Sequence, residues 1–85
     1  MSMVQQLISA VTNAERQLDD QISKLNSYLT EVDNVSTRVD NAFAGSNVNY
    51  GQKMIHQLTQ TKEQIKGTIG TLQAAKDKLI KVRMI

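Results

Sequence analysis

The side chains able to do chemistry are few and far apart in this 85-residue chain. His56 is the single histidine and there is no cysteine, so neither a thiolate metal site nor a disulfide framework can be built. A histidine acting as general base or metal ligand needs an acidic neighbour, which on a helix would sit three or four places away. Gln52, Lys53, Thr59 and Gln60 fill those places. Glu15, Asp19 and Asp20 read as a solvated acidic patch, with Asp20 and Lys24 spaced as an i,i+4 ion pair, and they lack the Glu-x-x-His companion of a di-iron bundle. Gly67-Thr-Ile-Gly70 lies inside a helical pattern and not after a strand, where a phosphate-cradling loop belongs. The chain therefore reads as non-enzymatic, with no catalytic residue, no metal site and no cofactor.

Composition narrows the remaining classes. A chain of 85 residues forms one domain at most and buries a modest share of its surface, so a stabilising partner is expected. No apolar run approaches the roughly 20 residues that span a bilayer, and the opening MSMVQQLISAVTNAERQ has no basic segment ahead of its apolar positions, as a Sec signal would. The sequence pI near 9.1 and the basic cluster Lys76, Lys78, Lys81 and Arg83 raise nucleic-acid or anionic-surface binding as a rival. A net charge of only +2 and 4% aromatic content weigh against it, and cations at a helix carboxyl end also serve the macrodipole.

The elements that must position everything else are long helices. Val4, Val11, Leu18, Leu25, Val32 and Val39 recur every seventh residue, with Leu7, Ala14, Tyr28, Val35 and Ala42 three places further on as the companion row. Ile8, Ile22, Leu29 and Phe43 sit one place beyond and widen the seam into the stripe of a bundle helix. The spacing predicts a helix over about 4–43. A second helix, over about 49–83, carries Leu58, Ile65, Leu72 and Leu79 at seven-residue spacing, Met54, Ala75 and Val82 as companions, and Ile55 and Ile69 broadening the face. Thr61 and Thr68 interrupt its companion row, and Gly67 and Gly70 each weaken it by about 1 kcal/mol relative to Ala.

Turn chemistry is concentrated between the two patterns. Gly45 can take the left-handed conformation that ends a helix, and Ser46, Asn47 or Asn49 can accept backbone N–H bonds to start the next one, giving a turn over about 44–48. Phe43 is expected to pack across this corner near Tyr50 or Met54. Helices joined by so short a turn run antiparallel. Charge agrees, since residues 1–45 carry three basic and six acidic groups and residues 46–85 carry seven basic and two acidic.

The expected fold is thus all-α: residues 1–85 form one helical hairpin. Its packing and partner-facing residues are Val4, Val11, Leu18, Ile22, Leu25, Leu29, Val32 and Val39 on the first helix, and Met54, Leu58, Ile65, Ile69, Leu72 and Leu79 on the second. Each stripe is about three positions wide per heptad, so an apolar flank stays uncovered when the arms meet. A second hairpin, from a partner or a second copy, would complete a four-helix bundle. Gly67, Gly70 and Ala74 share another face of the second helix, where they could admit a closely approaching backbone or simply lie at the surface.

Two long helices in a short chain, with Phe43-Ala44-Gly45 at the midpoint followed by SNVNYGQKM, resemble the small WXG-type helical hairpins of the type VII secretion system. Within that group the chain is most similar to the small helical partners of LXG-type toxins in Gram-positive bacteria. Phe43 stands where the family has Trp. The family's Tyr-x-x-x-Asp/Glu export signal has no counterpart, because Tyr28 is followed four places on by Val32 and Tyr50 by Met54. The resemblance implies a targeting or chaperone-like protein that binds the helical N-terminal region of a secreted toxin or another small helical protein. It implies a cytoplasmic location before export and a type VII route that needs no Sec signal, with the export signal supplied by another chain or by the complex. Taken by itself the Phe43, Gly45, Ser46, Asn47 corner is also ordinary helix-ending chemistry. The alternative from the periodicity alone is a homo-oligomeric structural bundle.

Overall fold

Ser2 starts the first helix. Its hydroxyl oxygen accepts the backbone N–H of Gln5 at 3.1 Å and its carbonyl accepts that of Gln6 at 3.0 Å, so the Ser-x-x-Gln spacing satisfies donors that a helix start leaves free. The computed structural model describes residues 2–45 and 48–84, and not the side chain of Val48. Helix α1 spans Met3–Phe43 and helix α2 spans Val48–Arg83, with no strand among the described residues. Helix α1 closes at Ala44, whose N–H donates to the Asn41 carbonyl, and Gly45 follows at φ 74°. That left-handed conformation costs a glycine nothing, which is why the chain can reverse here. Ser46 and Asn47 lie outside the described residues, and Asn49 falls in the first turn of α2, past the position that would start it.

The two helices lie antiparallel in a hairpin of 67 × 15 × 12 Å. Its radius of gyration, 19.4 Å, compares with about 12 Å for a compact globule of this length, so nothing is folded over the pair. The core is correspondingly thin: Val11, Val39 and Ile69 are the buried apolar side chains.

The packed seam differs from the expected one by one row on each helix. On α1 the residues turned inward are Val11, Leu18, Leu25, Val32 and Val39 together with Glu15, Ile22, Leu29, Ser36 and Phe43, a strict alternation of four and three. On α2 they are Gly51, Leu58, Ile65, Leu72 and Leu79 together with Ile55, Lys62, Ile69 and Lys76, and Arg83 continues the row from an exposed position. The rows read as companions lie outside, with Leu7, Tyr28, Val35, Met54 and Val82 exposed and Ala14 and Ala75 half-buried at the margin of the seam. Val4 follows the seam rhythm but is exposed because α2 does not reach it.

Polar partners explain the choice. Glu15, only 8% exposed, receives both Nε and Nη2 of Arg83, at 3.0 and 3.3 Å. Lys76 reaches Asp19 at 2.6 Å and Lys62 reaches Asp33 at 2.7 Å. These last two pairs are 14 residues apart on both arms, so one register satisfies them together. The acidic cluster is solvated only in part: Asp19 and Asp20 are exposed, but Glu15 is buried, Asp19 is paired across the hairpin, and no ion pair joins Asp20 to Lys24.

Phe43 packs across the corner onto the start of α2, as expected. Tyr50 and Met54 point to solvent, and the ring lies instead against Gly51.

Candidate partner-binding surface

Antiparallel seams have two edges, and here they differ in chemistry. One edge holds the ion pairs. Thr12, Glu15, Arg16, Asp19, Lys76, Ile80 and Arg83 gather around a shallow cleft near the open end, and Asp33 with Lys62 continues that edge toward the corner. In each inter-helix pair the acid comes from α1 and the base from α2, as the charge split between the halves implies. The Lys76 pKa is raised from 10.5, first by the hydrogen bond its ammonium gives Asp19, then, against the opposing effect of burial, by the charges of Asp19, Glu15 and Asp77.

The two rows of the other edge hold no charged side chain, although Lys24 and Glu31 flank Tyr28 on its outer side. From α1 it presents Leu7, Ala14, Gln21, Tyr28, Val35 and Ala42, and from α2 Met54, Thr61, Thr68, Ala75 and Val82. Gln21, Lys24, Leu25 and Tyr28 share a groove with Thr68 and Leu72, which places the two rows side by side. Thr61 and Thr68 donate their hydroxyls to the carbonyls of Gln57 and Gln64 at 3.1 Å, so neither leaves a donor seeking a partner. Tyr28 is 59% exposed, Leu7 56% and Met54 44%. A largely apolar side of this kind can bury itself against other apolar helices, with Lys24 and Glu31 at its margin, while the ion pairs between the helices lie on the opposite edge.

The expected interface residues divide between these places. Val11, Leu18, Ile22, Leu25, Leu29, Val32, Val39, Leu58, Ile65, Ile69, Leu72 and Leu79 form the seam inside the hairpin. Met54 belongs to the uncharged edge, and Val4 to the bare start of α1. At the corner, Phe43, Gly45, Gly51 and Ile55 line a small cleft with Asp40, Ala44 and Gln52.

His56 lies exposed on α2, beside Asn49, Gln52, Lys53 and Gln57. Among the described residues no group of three histidine, cysteine or acidic side chains is placed to hold a metal ion. No described helix is long and apolar enough to cross a membrane. Gly67 and Gly70 face open space, with no atom within 4 Å of where a β-carbon would stand.

Compared with protein-family models, curated proteins and solved structures, the chain finds no match.

Proposed function

We propose that this hairpin is a non-enzymatic targeting or chaperone-like partner of type VII secretion, binding the helical N-terminal region of an LXG-type toxin and helping present it for export. The observation that carries the reading is the uncharged edge running from Leu7 and Val82 to Ala42 and Met54. Two helices of a partner laid along that edge complete a four-helix bundle, bury Tyr28, Val35 and Met54, and leave the ion-paired edge in water. The aromatic-x-Gly corner and the length of the arms supply the resemblance to the WXG-type hairpins. The binding event needs no chemistry from the chain, and the export signal then belongs to the partner or to the assembled rod.

Co-expression with the N-terminal region of an LXG-type toxin from a neighbouring reading frame tests the proposal. The expected result is a stoichiometric complex that melts higher than either component. Two proteins that elute separately and melt independently would overturn it.

A further inference from the structure

Lys24 and Glu31 border Tyr28 on its outer side, about 10 Å apart along α1, and neither has an ion-pair partner among the described residues. The ion pairs between the helices lie on the opposite edge, so these two charges face whatever covers Tyr28.

We infer that in the free chain this edge is covered by a second copy, laid face to face so that the two α1 helices run antiparallel across a two-fold axis at Tyr28 and the two α2 helices across the same axis at Thr68. A base four places before Tyr28 and an acid three places after it are complementary to themselves under such an axis. Lys24 of each copy comes level with Glu31 of the other, and one operation makes both pairs. Thr68 shares the Tyr28 groove, so a single axis serves both helices. No like charges meet elsewhere on the outer rows, because Arg38 falls against Gln17 and Lys78 against Gln57. Thr61 and Thr68 already donate their hydroxyls to carbonyls of their own helix, so these rows can be buried without stranding a donor. The other face-to-face arrangement, α1 against the second copy's α2, leaves the two charges unanswered. By the register of the Asp19–Lys76 and Asp33–Lys62 pairs, Lys24 is level with Thr71 and Glu31 with Gln64.

Ala14, Ala42, Thr61, Thr68 and Ala75 bring little apolar area to the interface, so the pairing is weak and concentration-dependent. It goes beyond the proposed function and does not rest on it, being a property of the chain alone; a toxin docking on the same edge would displace the second copy.

Sedimentation equilibrium of the 85-residue chain tests the inference. The wild type should pass from monomer to dimer as concentration rises through about 0.1 mM. Lys24→Glu and Glu31→Lys each set like charges together twice per dimer and should weaken association about tenfold, with helicity unchanged because both positions are exposed. An equimolar mixture of the two variants should dimerise like the wild type, since each supplies the charge that the other lacks, and so should the chain carrying both substitutions. A wild type that stays monomeric to about 1 mM, single variants that associate as tightly as the wild type, or a mixture no tighter than its components would each overturn the inference.

Discussion

Phe43 and Gly51 meet so closely that a β-carbon at position 51 would stand 2.9 Å from Phe43 Cβ and 3.3 Å from its Cγ. The near atom is the root of the phenylalanine side chain, which cannot swing aside without moving α1. Gly51→Ala is therefore expected to destabilise the hairpin, because overpacking of about 1–3 kcal/mol exceeds the roughly 1 kcal/mol that alanine gains over glycine in a helix. Phe43→Ala should lose about 3 kcal/mol by emptying the same contact. Thermal melts of both variants check this, and a Gly51→Ala chain that melts above the wild type would show that the corner gives way freely.

Gly67 and Gly70 supply the contrast. Both lie in α2 with open space where a β-carbon would go, so Gly67→Ala and Gly70→Ala should each stabilise by about 0.5–1 kcal/mol. The same pair of variants decides whether this face receives a partner backbone. If the chain binds a toxin as proposed, binding unchanged in the double variant leaves this face a surface, and binding lost despite the higher melting point makes it a contact.

Glu15 and Arg83 form the most buried ion pair of the hairpin. Removing one partner strands the other, so Arg83→Met should cost about 1–3 kcal/mol by leaving a carboxylate in the seam without its two donors. Replacing both, with Glu15→Leu and Arg83→Leu, should restore much of that loss, since a well-packed apolar pair is often as stable as a buried ionic one. Chemical denaturation of the two single variants and the double variant measures the coupling directly.

Glu15 also explains which part of the fold could be read from the sequence. Two helices, their antiparallel course and the glycine-ended corner follow from seven-residue spacing and from Gly45, which depend only on local order. The facing of those helices does not. Each stripe is three rows wide, and the row of Leu7, Ala14, Gln21, Tyr28, Val35 and Ala42 has five apolar members against four larger ones in the row of Ile8, Glu15, Ile22, Leu29, Ser36 and Phe43, so spacing alone does not choose between them. The inward row brings Ile22, Leu29 and Phe43 into the seam and lets Glu15 meet Arg83, and pairing across a hairpin depends on a register that no window along one helix contains. The same limit hid Gly51: its role lies in what faces it. The Ser2 cap, which starts α1 at Met3 and not at the expected Val4, is a local signal that seven-residue spacing does not contain.

Lys76 gives the pair with Asp19 a signature in pH. Its pKa is raised in the folded chain, so the stability it contributes is fully present below the unfolded value of 10.5 and is lost as pH rises through the folded one. The melting difference between wild type and Lys76→Met should accordingly stay constant from about pH 7 to pH 9 and shrink above pH 10.5. A difference that instead grew with pH would mean that Lys76 does not draw its stabilisation from being charged beside Asp19.

The two edges of the hairpin allow folding and binding to be separated. Leu25 belongs to the seam and Tyr28 to the uncharged edge, three residues on along the same helix, and both border one groove. Leu25→Asp buries an unpaired carboxylate between the arms and should cost about 3 kcal/mol, enough to unfold so thin a core. Tyr28→Asp leaves its carboxylate in water and should change stability by no more than about 0.5 kcal/mol. If the uncharged edge is where the toxin's helices dock, Tyr28→Asp must weaken the complex by about 30-fold or more while the free hairpin melts normally, because an aromatic anchor at the middle of an interface is worth about 2 kcal/mol. Asp33→Ala, on the opposite edge, should leave the complex intact apart from the small loss of its pair with Lys62. Titration calorimetry of the three variants against the toxin's N-terminal region reads all of this at once. Binding that follows stability alone, lost with Leu25→Asp and kept with Tyr28→Asp, would move the interface off this edge.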